Sequence, residues 1–243
     1  MRSRSIAVGF VSALAISLVL GRSGAAQDQP PDGTGIPSWQ VQFGGFEQLV
    51  DAVALTEDRI IGIDPVRIGG GGAEAEDQTA IVVREAGVWR VEQVLQGPLL
   101  GAMDLAGPRA GLAVGENGSA ARFDGLRWHV LDTGLSIRLT DVSLVSAEEG
   151  WVSGGRETML RWDGATLEPV ETPEEIFNST IVGVSAPAED AAWAVTNRGR
   201  MIRYDGDAWR MEEDVPELAA YHGIDFFDAE SGLAAGGSAL CIR

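Results

Sequence analysis

Lysine is absent from this 243-residue chain, cysteine occurs once, at Cys241, and histidine twice, at His129 and His222. A lone cysteine gives no internal disulfide, so packing alone must hold the fold. Two histidines and one thiol are too few for a His/Cys zinc centre. The basic side is 18 arginines against 36 Asp and Glu, a formal charge of −18. That balance excludes the basic footprint that nucleic acid requires and weighs against an anionic membrane surface. No apolar run reaches the 18 residues of a membrane-spanning helix. The longest, Ile6 to Leu20, follows Arg2 and Arg4 and precedes the small residues Gly24-Ala25-Ala26, the pattern of a secretory signal peptide over 1–26. No Gly-x-Ser-x-Gly elbow occurs, and the four glycines Gly69 to Gly72 lack the Gly-Lys-Ser/Thr ending of a phosphate-binding loop. The expectation is an exported chain, secreted or periplasmic, with no membrane span, a flexible segment over 27–37 and one domain over 38–243.

What is present is a repeat. "LAVGENGSAARFDGLRW" (112–128), "WVSGGRETMLRWDGATL" (151–167) and "WAVTNRGRMIRYDGDAW" (193–209) carry the same parts in the same order. An apolar strand meets a turn, a second strand ends in Arg, an aromatic and Asp-Gly, and a third begins near the next Trp or Leu. Alternation broken by Asp-Gly turns is the mark of antiparallel hairpins. Another short strand precedes each, such as "TDVSLVS" (140–146), so the unit is four strands in about 40 residues, the size of a propeller blade. Arg84, Arg122, Arg161, Arg203 and Arg243 keep the register, at spacings of 38, 39, 42 and 40.

Five steps predict an all-β, five-bladed β-propeller: blade 1 over 44–95, blade 2 over 96–133, blade 3 over 134–172, blade 4 over 173–214 and blade 5 from 215–243. The fifth unit stops at its arginine. "SWQVQF" (38–43) carries Trp39 in a matching setting, and the prediction is that it supplies the outer strand of blade 5, closing the ring and removing its open edge.

The repeated arginines, the Asp-Gly aspartates and most tryptophans read as scaffold, because a residue recurring in every unit satisfies the same local geometry each time. Candidates for function lie where units differ. The largest departure is the blade 1 insertion 64–78, with Arg67 before the glycines. Arg156, Asn197, Arg198 and Arg200 fall in turns between second and third strands, and Tyr221 and His222 in the last link. This mixed surface is the expected binding face, for a protein or glycan partner. A second set, Asp51, Asp104, Asp141 and Asp225, is expected on the inner strands around a channel. Converging oxygens there suit calcium, and paired carboxylates suit glycoside hydrolysis. Strand-entrance capping is the plainer reading of the same residues. No other cofactor is expected, and a monomer is.

The Val-Gly-x-x-Gly and aromatic-Asp-Gly-x-x-Trp elements, best matched by "AVGENGSAARFDGLRW", resemble the propellers built of BNR or Asp-box-like units, including the photosystem II assembly and stability factors. The likeness covers 112–243. It implies a propeller that binds a protein partner.

Overall fold

The computed structural model describes residues 49–56, 58–68, 76–213, 215, 219–237 and 239–242. They form antiparallel sheets. The first holds β1 (Asp51–Ala54), β2 (Arg59–Ile68), β3 (Glu76–Glu85) and β4 (Val88–Gln96). The second holds β5 (Leu100–Leu105), β6 (Gly111–Gly115), β7 (Ala120–Phe123) and β8 (Trp128–Leu131). The third holds β9 (Leu139–Ser146), β10 (Glu149–Gly154), β11 (Met159–Trp162) and β12 (Leu167–Val170). The fourth holds β13 (Ile181–Ala188), β14 (Ala191–Thr196), β15 (Met201–Tyr204) and β16 (Trp209–Met211). The last holds β17 (Gly223–Phe226), β18 (Gly232–Gly236) and β19 (Ala239–Ile242). Strands are ordered in each sheet as in the chain. The segment Ser38 to Phe43, the glycine run and Arg243 lie outside the described residues.

The Asp-Gly turns work as their chemistry requires. Asp163 Oδ1 accepts from the N–H groups of Ala165 and Thr166 at 2.8 and 2.6 Å. Asp124 and Asp205 repeat the pattern two and three residues on, while Gly125, Gly164 and Gly206 take φ of 95°, 92° and 94°, which a side chain resists. The repeated arginine lies directly across the ladder from the second strand: Arg161 pairs with Trp151 and Arg203 with Trp193. Their guanidinium carbons sit 5.6 and 5.9 Å from those indole centroids, within cation–π range.

The core is a series of layers between successive sheets. Ile61, Ile81 and Val83 of the first sheet pack on Met103, Ala113 and Phe123 of the second. Leu112 and Val114 meet Val142, Val152 and Trp162. Trp151 and Met159 meet Ile181, Ala194 and Trp209. Trp193 stacks on Phe226 with centroids 3.9 Å apart and rings 3° from parallel. The other face of the first sheet is different. On β4, Val91 and Val94 pair with Val82 and Ala80, which alternate with the core residues Ile81 and Val83, and they remain 50% and 45% exposed. Phe227, just past β17, is 59% exposed.

Candidate functional site

Two groups of the expected residues occupy different parts of the molecule. The first is the inner-strand carboxylates. Asp51 Oδ1 accepts from its neighbour, Ala52 N–H, at 2.8 Å, and Oδ2 accepts from Met103 N–H in the next sheet, also at 2.8 Å. Asp104 divides its oxygens between Leu105 and, one sheet on, Leu144, both at 2.7 Å. Asp141 does the same with Val142 and Val184, both at 2.9 Å. These three aspartates are clamps between sheets. Each carboxylate spends both oxygens on backbone donors.

Sequence reasoning missed the serines that share this work. Ser143 Oγ accepts from Ala186 N–H at 3.0 Å and Ser185 Oγ from Phe226 N–H at 2.8 Å. The ladders explain why. Asp104 faces Leu112, which faces Arg122; Ser143 faces Trp151 and so Arg161; Ser185 faces Trp193 and so Arg203. Counting back from the repeated arginine across two ladders therefore puts Asp104, Ser143 and Ser185 at one position. The same offset stands in the sequence itself, since Asp104, Ser143 and Ser185 each lie 18 residues before Arg122, Arg161 and Arg203. Asp225, in the last sheet, accepts no hydrogen bond among the described residues.

Burial and mutual repulsion act on this set. Burial pushes the Asp141 carboxyl up to about 8, against the pull of Val184 N–H, and the charges of Asp51 and Asp104 push the same way. Burial raises Asp51 to about 6, against the Met103 and Ala52 donors and with help from Asp104. Asp225 is raised by burial and then by Asp104. Among the described residues no three His, Cys, Asp or Glu side chains are arranged to hold a metal ion.

The second group is on the turns between second and third strands and the links beside them. Arg156 and Glu157 take φ of 51° and 49° in the β10–β11 turn. That turn is tied to the link before β13: Glu157 N–H donates to Ser179 O at 2.8 Å, and Glu157 Oε2 accepts from Asn178 N–H at 3.0 Å. The β14–β15 turn is tied to the same link, with Asn197 Oδ1 accepting from Thr180 N–H and Asn197 N–H donating to Thr180 O, both at 3.0 Å. It is tied to the last link by Tyr221 N–H, which donates to Thr196 O at 3.1 Å. Arg156, Asn197, Arg198, Arg200 and His222 are thus carried on connected, exposed turns. Tyr221 is fully buried against Trp193 and Ile224 and supports the link beneath His222. Arg67 lies in β2, in register with Asp77, and its side chain is outside the described residues.

Arg109, Arg122, Arg127 and Arg203, elsewhere on the molecule, are exposed and make no ion pair among the described residues, and three further arginines without one are grouped on this surface. Arg59, Arg90, Arg138, Arg161 and Arg210 each pair with a carboxylate. Arg156, Arg198 and Arg200 make no ion pair among the described residues. Glu171, Glu174, Glu175 and Glu213, on the neighbouring links, are exposed as well. The surface is mixed in sign, with guanidinium groups held out on rigid hairpins. A shallow depression of about 240 Å³ lies further round, between Gln96–Pro98, Asn117–Ser119 and Val130–Leu135. None of the expected residues lines it.

No protein-family model matches the chain, and no curated protein matches it in sequence. Solved structures do. YCF48 from Cyanidioschyzon merolae is 14% identical, with 72% of this chain and 73% of that one covered and a TM-score of 0.52. The WD40 β-propeller domain of Doa1 is 12% identical, covering 78% and 62%, with a TM-score of 0.58. YCF48 bound to D1 peptide is 21% identical over 59% of this chain, with a TM-score of 0.48, and the present chain covers 51% of its length. Among the described residues no helix is long and apolar enough to cross a membrane. The chain is an all-β protein with a β-propeller fold resembling those of the photosystem II assembly factor YCF48 and the WD40 propellers.

Proposed function

We propose that this protein is an exported, non-enzymatic binding module that presents its connected turns and links to a protein or glycan partner. The observation that carries the reading is the grouping of three guanidiniums, Arg156, Arg198 and Arg200, without ion pairs among the described residues, on turns tied to their neighbours by backbone bonds. Arg109, Arg122, Arg127 and Arg203 also stand without ion pairs among the described residues, so what distinguishes this surface is the grouping of three such arginines on turns tied to one another. A guanidinium without an acid partner, carried on a tied turn, is available to meet a carboxylate or a sugar hydroxyl. The carboxylates that would serve a hydrolase are occupied: Asp51, Asp104 and Asp141 each bridge two backbone donors, which supports the binding reading over the enzymatic one.

The platform under this surface is, on the same reading, a five-bladed ring in which Ser38 to Phe43 completes the last sheet. Its supports are the three-stranded last sheet among the described residues, the uncovered valines on the far face of the first sheet and the exposed Phe227.

The test is capture from the exported fraction with the wild-type protein and with Arg156→Ala/Arg198→Ala/Arg200→Ala, at low and raised salt. A partner retained by the wild type, released by salt and lost in the triple variant is the expected result. Equal capture by both proteins overturns the assignment of the surface.

A further inference from the structure

The candidate binding surface carries an apolar side chain that its arginines do not explain. We propose that Phe177, in the link before β13, is a knob that enters an apolar pocket of a folded protein partner, one whose rim is acidic where it meets Arg156 and Arg198. This role rests on the surface assigned above and adds the partner's chemistry to it.

Two phenylalanines among the described residues are exposed: Phe227, just past β17, and Phe177, at 74%. A single exposed apolar side chain is ordinary. What sets Phe177 apart is the backbone that carries it. Ile176, before it, is fully buried in the core layer of Trp151, Met159 and Ile181, and Ser179, after it, is buried as well. The five successive N–H groups from Ile176 to Thr180 all have acceptors. Ile176 donates to Pro173 O at 3.2 Å, Phe177 to Glu174 O at 3.0 Å and Ser179 to Ile176 O at 3.1 Å. Asn178 donates to Glu157 Oε2 and Thr180 to Asn197 Oδ1, both at 3.0 Å. The ring is thus held out to solvent on a link whose every donor is engaged. An aromatic side chain brings a large apolar area with few torsions to fix, and a link ordered before contact spares much of the cost of association. Those are the properties of an interface anchor.

The same hydrogen bonds set the charges around the ring. Glu157, which accepts from Asn178, follows Arg156, and Asn197, which accepts from Thr180, precedes Arg198. Glu174 and Glu175, exposed, lead into Phe177 from the other side. The knob therefore has a basic flank and an acidic one, and a complementary pocket places carboxylates opposite the arginines and fixes its own orientation in doing so. A glycan fits this geometry poorly. Small ligands such as sugars are held in concave sites with converging polar groups, whereas Phe177 projects, and the depression of about 240 Å³ elsewhere on the molecule has no aromatic side chain in its lining.

The test uses the full chain with the photo-crosslinker p-benzoylphenylalanine in place of Phe177, irradiated in the exported fraction. The same probe in place of Leu126, exposed on the β7–β8 turn, is the control. A protein adduct at 177, absent at 126 and suppressed by excess wild-type chain, is expected. With that protein isolated, Phe177→Ala should weaken its binding at least about tenfold while leaving the salt dependence and the melting midpoint unchanged. Arg156→Ala/Arg198→Ala/Arg200→Ala should weaken binding and flatten the salt dependence. If Phe177→Ala binds like the wild type while the arginine variant does not, the knob is overturned and the surface stands; if both variants bind like the wild type, both fall. An adduct with a glycan, with a second copy or within the chain, equal adducts at the two positions, or none at 177, would each overturn the knob.

Discussion

At the scale of single residues, the turn aspartates and the inner-strand ones are the same amino acid shifted in opposite directions. Asp124, Asp163, Asp205 and Asp228 stand in open turns, where backbone N–H groups hold their carboxyls below the ordinary range. Depressed carboxyls stabilise above their unfolded values, and the benefit is lost as pH falls through them. Acid should therefore weaken the hairpin turns, whereas the contribution of Asp51 and Asp141 is lost as pH climbs through about 6 and about 8. Asp163→Ala tests the acid side: it should lower the midpoint by a few degrees at pH 6 and by progressively less on titration to about pH 2. A constant difference across that range would refute the carboxylate's role in the turn. Glycine acts at a second set of positions. A Cβ on Gly115 would lie 1.9 Å from Leu99 O, and one on Gly236 would lie 2.2 Å from Ala220 O. The Val-Gly element of the repeat exists to let a link carbonyl touch the strand, so Gly115→Ala should cost about 1–3 kcal/mol by overpacking, measurable by urea unfolding.

At the scale of elements, the hairpins were legible because their determinants are local. Asp-Gly fixes a turn within four residues, and the arginine–tryptophan neighbour is set by one ladder. The clamps were not legible, because they join strands some forty residues apart through a backbone donor that has no sequence signature. The four aspartates were picked out by residue type, and the serines that stand 18 residues before Arg161 and Arg203, as Asp104 stands before Arg122, were passed over. Ser185→Ala should leave Phe226 N–H buried and unsatisfied, at about 1–3 kcal/mol. Trp193→Ala, which removes the ring stacked on Phe226, should cost about 3–5 kcal/mol. The pair sits on one inter-sheet contact, so the double variant should lose less than the sum; strict additivity would show that the clamp and the stack act separately.

At the scale of the molecule, successive layers of core bind each sheet to the next, and the candidate binding surface rides on two of the later sheets. Its residues were legible as exceptions to the repeat, at Arg156, Asn197, Arg198, Arg200 and His222. What the sequence could not convey was that Tyr221 turns inward and that the turns are tied into one piece by the links. If the ring is closed by Ser38 to Phe43, deleting that segment should expose the far face of the first sheet and lower the melting midpoint or drive aggregation. Identical melting of the shortened protein would remove the closure from the account.

The clamps also have a polarity. Asp51, Asp104, Asp141, Ser143 and Ser185 each supply an acceptor from the earlier sheet to a main-chain donor on the later one. Main-chain donors come with any strand, whereas acceptors must be encoded. A copied unit thus arrives able to grip whatever follows it and to be gripped by whatever precedes it, with no compensating change in either neighbour. Lengthening by duplication is built into such a chain, and a unit that loses its acceptor weakens the joint ahead of it and leaves the one behind intact.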